Sequence, residues 1–175
     1  MTVVAVTGAS GFVGQRVVED LARRGHVAIG VVRGPSAPSA PQARVVGDIS
    51  AQTDWARALE GVEVVVHCAA RAHVMHERAT DPLPLYRAVN VEGARRLAEQ
   101  AARHGVRRLV YLSSVKAAGE RSTPGRPLKV SDTPTPEDEY GISKREAELA
   151  LMEVGAATGI ETVIISPDVA RELMG

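Results

Sequence analysis

A chain of 175 residues that is 45% apolar has room for one domain with a filled core and no second one, since a domain takes about 100–200 residues. Its 21 basic residues are matched by 21 acidic ones, so no net field draws it to nucleic acid or to an anionic membrane. The single cysteine, Cys68, excludes an intrachain disulfide and any multi-cysteine metal site; it lies in an apolar run and reads as a small buried hydrophobe in a reducing compartment.

The chain runs from Met1 straight into Val3-Val4-Ala5-Val6, with no basic leader, and no stretch approaches the ~18 consecutive apolar residues of a membrane span. A soluble cytoplasmic protein is the expectation. Short β-branched runs then alternate with amphipathic stretches. Strands are predicted at 3–7, 27–33, 43–47, 62–68, 108–113 and 161–165, and helices at about 12–24, 52–60, 84–104 and 139–158. The first helix carries Val13, Val17 and Leu21 on one row and stops at Gly25; the third carries Leu85, Val89, Gly93, Leu97 and Ala101 and stops at Gly105. Thr135-Pro136-Glu137-Asp138 reads as the start of the fourth, with a capping hydroxyl and a proline in the first turn. The proline-rich stretches 34–42 and 119–138 read as loops, the second long enough to expect a function. This order predicts an α/β, doubly wound parallel sheet of the Rossmann type, about six strands with helices on both faces. Its ligand crevice is expected at the carboxyl ends of the strands, where the strand order reverses.

Gly8, Gly11 and Gly14 in "TGASGFVG" follow the first strand and open the first helix, the setting a phosphate-binding glycine loop requires. A Cβ at these positions would hold a pyrophosphate away from the backbone amides and the positive end of the helix. An acid at the end of the second strand would select NAD; the strand instead ends Val31-Val32-Arg33-Gly34. Arg33 is either a partner for the 2′-phosphate of NADP or a solvated arginine, which leans the cofactor, NAD or NADP, slightly towards NADP. Tyr140 and Lys144 stand four apart and share a helix face, and a lysine ammonium beside a phenol favours the phenolate needed for proton transfer. Ser113 and Ser114 close the fifth strand, where a hydroxyl either orients a substrate oxygen or simply forms a turn.

These strings, with "GDIS", "VVHCAA", "VNVEGARRL", "YLSSVKAAGE" and "YGISK", resemble the extended short-chain dehydrogenase/reductases of the NAD-dependent epimerase/dehydratase family over residues 1–165. The resemblance implies that Gly8, Gly11 and Gly14 cradle the pyrophosphate with Phe12 beside them, that Asp48 and Ile49 meet the adenine, and that Ala69, Ala70 and Asn90 line the cofactor. It implies a catalytic set of Ser114, Tyr140 and Lys144, with Ser114 preferred to Ser113 because it lies five residues before Gly119. Tyr140 and Lys144 would also touch the cofactor, Lys144 through its ribose. "RAHVM" and "SSVKAAGE" look most like the branch of UDP-N-acetylquinovosamine dehydrogenases (4-ketoreductases) and UDP-glucose 4-epimerase-like proteins, which implies a UDP-sugar substrate altered at its 4-position. His73 and His76 lack the companions of a metal site, and no metal is expected. Helices 84–104 and 139–158 are candidates for a homodimer contact. Ser166 stands where the family has arginine, and 166–175 has no counterpart, so a C-terminal truncation that removes the substrate domain is expected. That leaves three readings open: an enzyme, a non-catalytic NAD(P)-binding module, and a damaged gene product with no role.

Overall fold

The computed structural model describes residues 1–34, 42–72, 80–121, 129 and 132–166. His73 and His76, most of the two proline-rich loops and the stretch 167–175 lie outside these residues. Six strands, β1 (Val3–Thr7), β2 (Val27–Val32), β3 (Ala43–Val45), β4 (Val64–His67), β5 (Arg108–Leu112) and β6 (Glu161–Ile165), form one sheet in the order β3-β2-β1-β4-β5-β6. Every adjacent pair is parallel. The order reverses between β1 and β4, so the carboxyl ends of these two strands flank the crevice.

Helix α1 (Phe12–Arg23) packs on one face of the sheet, over Val4, Val6 and Val32. The opposite face carries the larger core, in which Val65, Leu109, Leu97 and Leu151 are all buried beneath α4 (Ala94–Arg103) and α6 (Glu139–Thr158). Only β1 and β2 approach the continuous burial expected of strands covered on both sides. In β4 and β5 buried residues alternate with half-buried ones, because the α1 side of Val66, Val110 and Leu112 is only partly covered by the described residues.

Several predicted elements shift. The helix predicted at 52–60 contracts to α2 (Ala56–Leu59), because the preceding turn is held by side chains: Thr53 Oγ1 donates to the Asp48 carbonyl at 2.9 Å and accepts from Ser50 N at 2.8 Å. Val13 is exposed, and the buried members of α1 are Gly14 and Val18. The helix predicted at 84–104 is α3 (Leu83–Arg87), a π-helical stretch (Ala88–Gly93) and α4 in succession. Of the expected row, Gly93, Leu97 and Ala101 are buried, whereas Val89 is half-buried and Leu85 faces solvent; Tyr86, Asn90, Ala94 and Ala98 form a second buried row beside it. A short helix that the sequence pattern did not suggest, α5 (Val115–Ala118), follows β5. The cap of α6 is Asp138 rather than Thr135: its carboxylate accepts from Gly141 N at 2.6 Å, while Thr135 N is bonded to the Ala118 carbonyl at 2.9 Å in a bridge with Gly119.

Candidate functional site

The glycine loop turns out of β1 with Gly8 at φ +66°, a conformation that side chains disfavour. Space forbids a side chain as well. A Cβ on Gly8 would stand 2.8 Å from Ala69 N, and one on Gly14 would stand 2.2 Å from the Gly8 carbonyl oxygen. The loop is therefore folded against both the end of β4 and the first turn of α1. Gly11, the cap residue of α1, is extended, and no side chain caps the helix. That leaves the positive end of the helix facing the crevice without an internal anion. Phe12 beside it is exposed.

A cavity of about 780 Å³ opens there, bounded by the loop, by Val31–Arg33 at the end of β2, by Gly47–Ile49 after β3 and by Cys68–Ala72 after β4. Gly8, Gly11, Arg33, Asp48, Ile49, Ala69 and Ala70 thus share one lining. Arg33 and Asp48 pair at 3.0 Å across its outer end, both exposed. Ile49 seats on Gly93, where a Cβ would approach its Cγ2 to 2.4 Å, so the π-helical stretch and the 48–53 turn close on each other. The same stretch places Asn90, which is 2% exposed, against the far wall. Its amide accepts from Arg71 N at 2.8 Å and donates to the Arg71 carbonyl at 3.1 Å and to Ser143 Oγ at 2.9 Å. Asn90 is a brace for the backbone after β4.

At the end of β5, the next strand along, Ser114 Oγ caps α5 by accepting from Lys116 N at 3.3 Å and is hydrogen-bonded to the Tyr140 hydroxyl. Burial raises the Tyr140 phenol above its ordinary range; the Ser114 bond and the Lys116 charge oppose this, and Asp138 and Tyr86 reinforce it. The Tyr86 ring meets Tyr140 edge-on, centroids 6.3 Å apart. Ser113 turns the other way: buried, it donates to Glu148, whose second oxygen takes Arg145 Nη1 at 2.8 Å.

Lys144 is on the same helix as Tyr140, but its ammonium is directed into the sheet. Nζ donates to the Leu112 carbonyl at 2.7 Å and stands 3.9 Å from the centre of the Tyr111 ring. Burial lowers its pKa to about 7, with Glu148 and Cys68 acting in the opposite sense. Lys116 is a cation that favours the Tyr140 phenolate in this arrangement, and the sequence expectation gave it no part in the catalytic set. Burial also raises Cys68 to about 11, so the thiol is inert, as expected of a packing residue. It lowers His67 to about 3, helped by Lys144, and this neutral imidazole shares a 2.6 Å hydrogen bond with Thr7 Oγ1, which also accepts from Ala69 N at 3.2 Å. Thr7 and His67 tie β1 to β4 beneath the glycine loop. Among the described residues no group of side chains is arranged to hold a metal ion, and no helix is long and apolar enough to cross a membrane.

The model of the NAD dependent epimerase/dehydratase family matches residues 4–168. A UDP-glucose 4-epimerase of Vibrio cholerae is 42% identical over 167 residues, covering 95% of this chain and 51% of the relative. A 3 beta-hydroxysteroid dehydrogenase/Delta 5→4-isomerase of Mycobacterium tuberculosis is 34% identical over 169 residues, 94% of this chain and 46% of its own. Among solved structures, a short-chain dehydrogenase/reductase superfamily protein from Agrobacterium tumefaciens with bound NAD superposes with a TM-score of 0.76 at 31% identity, over 93% of this chain and 48% of that one. MoeE5 in complex with UDP-glucose and NAD gives 0.74 at 28%, over 93% and 52%. This chain spans about half the length of the curated relatives it matches. With a sheet, a switch point and a glycine loop of this kind, and a family model matched over most of its length, the chain belongs to the NAD-dependent epimerase/dehydratase family.

Proposed function

We propose that this chain is the nucleotide-binding portion of an NAD(P)-dependent oxidoreductase or epimerase that works at the 4-position of a UDP-sugar. The observation that carries the reading is the Gly8–Gly14 cradle, closed to side chains by backbone on two sides and opening at an uncapped helix end into the cavity. The residues fit a dinucleotide. Gly8, Gly11 and Gly14 would meet the pyrophosphate with Phe12 alongside, Asp48 and Ile49 the adenosine, and Ala69 and Ala70 the nicotinamide half, with Asn90 bracing their strand end and Lys144 behind it. The substrate class is argued from the epimerase of Vibrio cholerae and from MoeE5.

The bound cofactor supplies a hydride acceptor or donor. The chain's own part is proton handling and positioning. Tyr140 exchanges a proton with the sugar hydroxyl, Ser114 holds the same oxygen through its shared hydrogen bond, and the raised phenol stays protonated until substrate arrives. Arg33 pairs with Asp48, both exposed, in an ion pair worth about 0–1 kcal/mol, which a 2′-phosphate could displace, so the lean is slightly towards NADP.

Thermal-shift titration with NAD, NADP and UDP-glucose tests the assignment. Either dinucleotide raises the midpoint, and Tyr140→Phe keeps that response while removing any turnover of a UDP-sugar. A chain that ignores both dinucleotides at millimolar concentration contradicts the reading. A preference of about tenfold for NAD removes the lean to NADP.

A further inference from the structure

The Ser114–Tyr140 pair is assembled from two separate elements, the start of α5 and the start of α6, and one side chain joins them. Lys116 N donates to Ser114 Oγ at 3.3 Å. Its Nζ pairs with Asp138 and, at 3.2 Å, with Glu120. Asp138 is the cap of α6, two residues before Tyr140. The backbones meet at the same place: a Cβ on Gly141 would lie 2.5 Å from the Lys116 carbonyl oxygen. A residue that grips the serine by its amide and the tyrosine's helix by its ammonium controls how far apart the two hydroxyls stand.

We propose that Lys116, anchored by Asp138, is a positioning residue for the Ser114–Tyr140 pair, fixing their separation, with Asp138 as its counter-charge. The proposal rests on the reading of Tyr140 as the proton-handling group. Lys144 is engaged with Leu112 and the Tyr111 ring. Other groups near the phenol among the described residues include Ser114, the Tyr86 ring and, from β5, Tyr111, whose own ionisation Tyr140 opposes. Glu120 acts through Lys116. Because Lys116 favours the phenolate and Asp138 disfavours it, deleting the two charges has opposite consequences. A mere structural prop has no such sign.

The experiment follows Tyr140 by NMR in the chain with isotope-labelled tyrosine ζ carbons, its signal assigned with Tyr140→Phe, and ranks variants on the early limb of the titration before any alkaline unfolding. Lys116→Met is expected to raise the midpoint, Lys116→Arg to restore it, and Asp138→Asn, which still caps the helix, to lower it. An unmoved midpoint in Lys116→Met, or a rise in Asp138→Asn, overturns the proposal. If Lys116→Met does not fold, the arginine and asparagine variants decide alone: Arg must match the parent and Asn must fall below it. No cofactor takes part, so failure here is distinct from failure to bind a dinucleotide.

Discussion

At Gly14 two opposing terms can be weighed. Alanine in a helix is worth about 1 kcal/mol over glycine. Here the new methyl would sit 2.2 Å from one backbone atom of Gly8 and 2.7 Å from another, and neither is the flexible end of a side chain. Overpacking of this kind costs about 1–3 kcal/mol or more, so Gly14→Ala is expected to lower the urea midpoint and to abolish the dinucleotide response, while Gly34→Ala, with nothing within 4 Å, leaves stability nearly unchanged. A Gly14→Ala chain as stable as its parent would remove the steric account of the loop. His67 gives the second prediction at this scale. It binds its proton near 6.5 in the unfolded chain and only near 3 when folded, so between those values the unfolded state holds the extra proton. Its contribution is complete above about 6.5 and is lost as the pH falls towards 3, a change of the order of a few kcal/mol. In His67→Asn the acid slope of stability should flatten across this window; an unchanged slope in urea titrations would assign the acid sensitivity to other groups.

At the scale of elements, what reads from sequence is what depends on local periodicity and punctuation. The runs at 3–7 and 161–165 and the helix at 139–158 coincide with β1, β6 and α6, because β-branched clusters and a long uninterrupted helical pattern leave one solution. What does not read is what depends on polar groups finding distant partners. Asn90 breaks the apolar row of its helix because its amide belongs to Arg71 and Ser143, 19 and 53 residues away. Asp138 wins the cap from Thr135 because the Gly119–Thr135 bridge has already committed that residue's backbone. The glycine loop and the Ser114–Tyr140 pair were legible as motifs; the Lys116–Asp138 tie and the inward turn of Lys144 were not, since charge counts along a chain do not say which charges meet. The uneven cover of the sheet gives a packing prediction. Leu109 is fully buried against Leu97 and Leu151, whereas its neighbour Val110 points to the half-covered face. Leu109→Ala should cost about 2–5 kcal/mol and Val110→Ala clearly less, as read from denaturant unfolding; equal losses would mean that the α1 face over β5 is closed in solution.

At the scale of the whole molecule, zero net charge leaves copies of the chain without mutual repulsion, so any apolar patch is free to decide their association. Helices α4 and α6 lie side by side on the face of the sheet opposite α1, tied along their outer seam by Arg95–Glu153 at 2.9 Å, with Arg87 of α3 paired to Glu146 farther along α6. Within the same surface Leu149 and Met152 are 47% and 58% exposed. Apolar side chains inside a charged border are the arrangement of an interface centre and its rim. The proposal that these two helices pair across a two-fold therefore has a specific consequence. The parent chain sediments as a dimer, the double variant Leu149→Glu with Met152→Glu sediments as a monomer with unchanged circular dichroism, and Val110→Lys, on the opposite face of the sheet, leaves the dimer intact. The charges introduced on α6 would have to be desolvated against their own symmetry mates, a penalty that the neighbouring Arg95, already committed to Glu153, does not relieve. A monomeric parent would rule this contact out, and a dimer that survives both glutamates and yields to Val110→Lys would place association on the half-covered sheet face instead.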